Sequence, residues 1–166
     1  MELRDLQEAN KTLDKQSKIL SAAGLIEDGK DISSLFNSIE IKIVNLKTGL
    51  FDASINIEDF DESSFSRNPN TSIELTSDAD IALLKRRENF QAIYLHYENE
   101  SLNAIILPVR GYGLWGTMKG YLALESDLQT VIGLEFFDHK ETPGLGGEIV
   151  NPRWKAIWKG KKDYSD

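Results

Sequence analysis

Cysteine is absent from the 166 residues. That one absence removes disulfides, thiolate nucleophiles, iron–sulfur clusters and cysteine-based zinc sites together. It fits a reducing or an oxidising compartment equally. Also missing is any apolar run near the roughly 18 residues that a membrane helix needs, so the chain as given is expected to be soluble. Positive charge is in short supply: 19 Lys+Arg stand against 27 Asp+Glu, a net charge of −8. That acidic balance leaves little to neutralise phosphates over a broad face and argues against bulk nucleic-acid binding. Only two histidines occur, His96 and His139. What remains, 40% hydrophobic and 28% charged residues, is the composition of a folded chain. Its length suits a domain that buries roughly 70% of its unfolded surface.

Met1 is followed at once by charged residues, which matches neither a signal peptide nor an anchor. Leu6, Leu13 and Leu20 recur every seven residues, with Ala9, Gln16 and Ala23 three positions later, and predict an amphipathic helix over 2–23 stopped by Gly24. A short helix is expected over 32–38, then a strand from Ile41 to Val44 entering a Lys47-Thr48-Gly49 turn. Residues 52–70 are polar and read as an exposed excursion. Counted from Asp59, the sixth position is Ser64 where an EF-hand loop needs Gly, so calcium is not expected. Thr76 or Ser77 as cap, Asp78 and Asp80 in a first turn and Lys85-Arg86-Arg87 in a last predict a second helix.

From residue 89 the period changes to two. Strands are expected over 90–97, 102–109, 120–125 and 131–137, joined by short turns. The reading is an α+β fold: an antiparallel meander in the C-terminal half, flanked by helices. Asn151-Pro152 opens a last helix and Gly160 ends it. Trp154, Ile157 and Trp158 share one face there, for which a core position is expected.

Conventional catalysis finds little support. Neither histidine has a nucleophile-elbow neighbour, and His96, in an alternating strand, suits a hydrogen-bonded structural role. His139 and Glu141 are two apart, but a metal would need further ligands that the spacing does not supply. Two glycine-rich stretches stand out, Gly111–Gly116 around Trp115 and Glu141–Glu148. Glycine admits close backbone approach to an anion or a flat polar ring. Neither stretch matches a Rossmann or Walker pattern, and wide turns between strands explain them as well as a ligand does.

Three stretches carry a resemblance: Leu13-Asp14-Lys15-Gln16-Ser17-Lys18-Ile19-Leu20; Leu107-Pro108-Val109-Arg110-Gly111-Tyr112-Gly113-Leu114-Trp115; and Glu141-Thr142-Pro143-Gly144-Leu145-Gly146-Gly147-Glu148 with Asn151-Pro152 and Trp158-Lys159-Gly160-Lys161-Lys162. In this order they resemble the NqrC family, one of the component subunits of bacterial sodium-translocating NADH:quinone oxidoreductases. The Thr-Pro-Gly-Leu-Gly loop is shared with the related flavin-carrying subunit of Rnf complexes. The resemblance runs from Leu3 to about Lys162.

It implies an FMN-binding-domain fold and an electron carrier without turnover of its own, serving a sodium-pumping respiratory NADH:ubiquinone reductase. It places Glu141, Thr142, Gly144, Leu145 and Gly146 beside the flavin, with Gly113, Leu114 and Trp115 in a second loop. Partners are the other subunits of the membrane pump. The domain is expected on the periplasmic side of the inner membrane, tethered by one N-terminal helix. In the family FMN is a phosphoester on a threonine in a Ser-Gly-Ala-Thr context. None of the seven threonines (12, 48, 71, 76, 117, 130 and 142) has that context. The expected organisation is therefore a fragment: a helix over 1–23 after a missing anchor, and an FMN-binding domain over 24–166, incomplete at its C-terminus and without covalent flavin. The alternatives are an Rnf-type FMN subunit and a non-catalytic assembly module.

Overall fold

The structure, a computed structural model, describes residues 3–162, with the side chains of residues 3 and 4 excepted. Helix α1 (Leu3–Ala22) covers nearly the predicted span, but of the heptad leucines only Leu20 is buried, Leu6 and Leu13 being exposed. It ends as the sequence requires: Gly24 turns to φ +68°, its N–H donates to the Ser21 carbonyl, and Leu25 N–H reaches back to the Leu20 carbonyl at 2.9 Å. This pairing satisfies carbonyls that the last turn would otherwise leave open. Helix α2 (Ile32–Phe36) is capped by the Asp31 carboxylate, which accepts from Ser34 N–H.

Strands β1 (Ile39–Asn45), β2 (Leu50–Phe51), β5 (Phe90–Glu98), β6 (Ser101–Tyr112), β7 (Thr117–Glu125) and β8 (Val131–Asp138) form one antiparallel sheet in the order β2-β1-β5-β6-β7-β8. The short strands β3 (Ser72–Glu74) and β4 (Arg86–Glu88) pair separately. The α+β reading and the C-terminal meander are both found. The β5–β6 hairpin turns on Asn99 and Glu100, both at positive φ, the geometry whose twist matches the flanking strands.

Register places Ile41, Tyr94, Ile106, Ala123 and Gly133 in one row across β1, β5, β6, β7 and β8. Alternation sends this row to the face covered by α1 and α2, where Ile19, Leu20, Ile106 and Ala123 are fully or almost fully buried. The small residues let the helix approach: a Cβ on Gly133 would run into the Ala22 carbonyl oxygen. The opposite face buries Ile93, Leu95, Leu124 and Val131.

Three expectations are corrected. Residues 76–87 are not a helix. Asp80 is the reason: its carboxylate accepts from Leu84 N–H and Lys85 N–H, both at 2.7 Å, and folds the chain into a turn with Leu83 and Lys85 at positive φ. Arg86 then leaves in β4. Residues 52–70 are not simply an exposed excursion. A 3-10 turn (Ile57–Asp59) and helix α3 (Glu62–Arg67) pack Phe65 against Phe60 and against Phe90 of β5. The last helix, α4 (Pro152–Ala156), is shorter than expected, though Asn151 caps it and Pro152 opens it as read. Trp154 lies half-buried against Phe136, with Trp158 packed outside it and Ile157 exposed, so these are not core residues. Among the described residues no helix is long and apolar enough to cross a membrane.

Candidate functional site

Strands β6 and β7 meet at a tight link, residues 113–116, closed by Gly113 N–H donating to the Gly116 carbonyl at 2.8 Å. At the same end of the sheet β8 runs out into residues 139–147. There Leu145 N–H and Gly147 N–H both donate to the Thr142 carbonyl, at 3.1 and 2.9 Å, and Gly144 sits at φ +75° with open space around it. The two glycine stretches, well separated in sequence, are neighbours in space.

Glu141 joins them. Its carboxylate is buried and accepts the backbone N–H of Trp115, 26 positions away, at 3.2 Å. Its own N–H points to Nδ1 of His139 at 3.3 Å. A Cβ on Gly113 would collide with its Oε1, and a Cβ on Gly146 would stand 2.6 Å from Oε2. The His139–Glu141 pair therefore has a structural occupation. Among the described residues no group of His, Asp and Glu is arranged to hold a metal. His96 is buried and lies 3.4 Å from the Asn103 amide, the structural role read for it.

Around this joint, large apolar side chains face outward. Leu114 is 76% exposed, Leu145 73% and Trp115 61%. Such exposure on loops tied this closely is where an apolar ring would find a wall. Thr142, Gly144 and Gly146 lie on the outer loop, also exposed. The structure thus brings together the residues named from sequence. It presents Leu114, Trp115, Leu145 and Thr142 outward and turns the Glu141 carboxylate inward. This donor set fits a flat, largely apolar ring with a polar edge, as FMN has.

A second feature was missed from sequence. Under the middle of α1 a cleft of about 290 Å³ is lined by Lys15, Glu62, Arg110, Lys119, Tyr121 and Phe137. Arg110 of β6 pairs with Glu62 at 3.3 Å and with the buried Glu88 of β4. Burial raises the Glu62 carboxyl, and the charge of Glu88 adds to that; Arg110 opposes both. Tyr94 and Tyr121 meet edge to face at 5.9 Å, and burial raises both hydroxyls. Phe137 stacks on Tyr121 at 5.1 Å and Lys15 sits over the Tyr94 ring. One signal could have found it: alternation along β6 puts Arg110 on the inward parity of Ile106, where a charge needs a partner.

The family model described as FMN-binding domain matches residues 113–166, which begins at the first of the two glycine loops. The C subunit of the Na(+)-translocating NADH-quinone reductase of Pseudomonas aeruginosa is 46% identical over 166 residues, covering 98% of this chain and 64% of that protein. The same subunit of Vibrio vulnificus is 43% identical over 165 residues, covering 99% and 64%. Among solved structures, the crystal structure of Shewanella oneidensis NqrC superimposes with a TM-score of 0.85 at 34% identity, over 95% of this chain and 73% of that one. The corresponding crystal structure from Parabacteroides distasonis gives 0.71 at 25% identity, over 98% and 71%. The chain thus spans 64% of the length of the first two of these relatives.

Proposed function

The chain belongs to the NqrC family of Na(+)-translocating NADH-quinone reductase subunits, and on that premise we propose that it is the flavin-facing part of an electron-relaying component. When bound, FMN would supply the redox chemistry that this chain's residues lack. The chain's own residues would bind and orient it: Leu114, Trp115 and Leu145 would offer the apolar wall, and Thr142, Gly144 and Gly146 the backbone and hydroxyl at its polar edge. Glu141 belongs to the same site. The observation that carries this reading is the meeting of the two glycine loops, with three large apolar residues exposed around the joint.

The finer points are part of the same proposal. FMN is held as a phosphoester on a threonine outside these 166 residues, because none of the threonines here lies in a Ser-Gly-Ala-Thr context. The partners are the other subunits of a sodium-pumping complex. The domain lies on the periplasmic side of the inner membrane, tethered by a single helix. The relatives' names and the family match support the reading.

Peptide mass spectrometry and visible spectroscopy on the native protein test it. The FMN mass is expected on a peptide outside residues 1–166, with the flavin band perturbed by Trp115→Asp and by Leu145→Asp but not by Trp158→Ala. FMN on Thr142, or a flavin band indifferent to Trp115 and Leu145, would sink the proposal.

A further inference from the structure

Glycine in both loops suggests room for a ligand. The geometry gives that room to something else. The space beside Gly113 holds Oε1 of Glu141, and the space beside Gly146 holds Oε2. Each loop is closed on itself by backbone bonds, Gly113 to Gly116 in one and Leu145 and Gly147 to Thr142 in the other. Those bonds do not set one loop against the other. The bond from Trp115 N–H to Glu141 does. Lys140 adds a contact beside it, its Cδ lying 3.0 Å from where a Gly116 Cβ would be.

We propose that Glu141 is the positioning residue of this site: its buried carboxylate fills the places of the two missing Cβ atoms and holds Trp115 and Leu145 in register. The two glycines are the seat of the clamp, and the ligand meets Leu114, Trp115 and Leu145 instead. The inference deepens the flavin reading and rests on it for its electronic consequence. A fixed carboxylate behind the loops disfavours electron density added in front of them. It thereby holds the flavin potential down.

The test uses the full-length protein with Glu141→Ala, Glu141→Gln, Gly113→Ala and the double variant Gly113→Ala/Glu141→Ala. Amide exchange at Trp115 is read by mass spectrometry or NMR, and the flavin potential by redox titration. Glu141→Ala is expected to speed Trp115 exchange about tenfold, the loss of one hydrogen bond to a buried acceptor. Glu141→Gln keeps an acceptor and is expected to preserve the protection while moving the potential to a more positive value. A structural filler would not produce that split. Gly113→Ala is expected to speed exchange in the wild-type background and to add much less once Glu141 is Ala, because the nearest atoms it strikes are gone and only Met118 Cγ, at 3.1 Å, remains close.

Trp115 exchange at the wild-type rate in Glu141→Ala, or additive effects in the double variant, would overturn the proposal. Where Glu141→Ala does not fold, the potential and protection of Glu141→Gln decide it, and an unshifted potential counts against it. Lost Trp115 protection in a protein that carries no FMN would uphold the clamp and overturn the flavin reading, so the two fail separately.

Discussion

Gly133 of β8 lies directly beneath the carbonyl of Ala22, the last residue of α1. This is backbone against backbone across the helix–sheet interface, with no side chain between to yield. Gly133→Ala is expected to push the end of α1 off the sheet and cost about 1–3 kcal/mol, as overpacking does. Chemical denaturation checks it. A variant as stable as the wild type would mean that the helix can slide at this point.

Arg110 is the cation facing the buried carboxylate of Glu88, which is 3% exposed. Arg110→Met is expected to lower stability by about 3–5 kcal/mol, because it strands that charge. Arg110→Met/Glu88→Leu should recover most of the loss. A double variant no better than the single would show that the pair also holds α3 in place through Glu62.

Asp80 accounts for the failed helix. Asp80→Ala removes two charge-assisted hydrogen bonds from a partly buried turn and should cost about 1–2 kcal/mol. Leu83→Gly is expected to be neutral or to gain about 1 kcal/mol, since Leu83 sits at φ 54°. Thermal unfolding of the two variants measures both signs. A loss on Leu83→Gly would show that this exposed side chain has packing the turn depends on.

The Asp127 carboxylate accepts from Gln129 N–H and from the N–H and hydroxyl of Thr130. The hydroxyl of Thr130 is the largest cause of its depressed pKa, about 2 against 3.8 for the free group. A carboxyl lowered on folding stabilises the chain above its unfolded pKa and loses that contribution as pH falls through the folded one. Asp127→Asn should therefore lower stability at pH 5 and make little difference near pH 2. Carboxyl NMR titration should place the Asp127 midpoint well below those of exposed aspartates.

The two halves of the sequence were unequally legible. Residues 90–138 alternate apolar and polar with turn residues between, and alternation alone sets both strand and face there. Residues 76–87 carried every end-charge of a helix, yet lost to a side-chain carboxylate that gives Leu84 and Lys85 N–H a nearer acceptor. The apolar face available, Ile81 and Leu84, was too narrow to resist. At the site, sequence brought forward both glycine loops but could not show that they touch, because a contact between distant stretches leaves no local pattern. Glu141 was visible as a motif letter only. That its carboxylate points inward depends on both Gly113, beside Oε1, and Gly146, beside Oε2, lacking a Cβ. Trp154 and Trp158 misled for the opposite reason: spacing showed that they share a face and said nothing of what lies opposite.

Burial of α1 begins at Gln16; from Asp5 to Lys15 every residue is exposed. At 1.5 Å per residue the stretch from Gln16 back to Leu3 is roughly 20 Å of helix; Lys15 reaches the Tyr94 ring, and the buried grip lies toward the C-terminal end. The grip is the Gly133–Ala22 contact and the ring of Ile19, Leu20 and Ala23 around it. That contact ties α1 to β8, the strand that leads straight into Glu141. The end of α1 is thus seated on the strand that carries the Glu141–Glu148 loop.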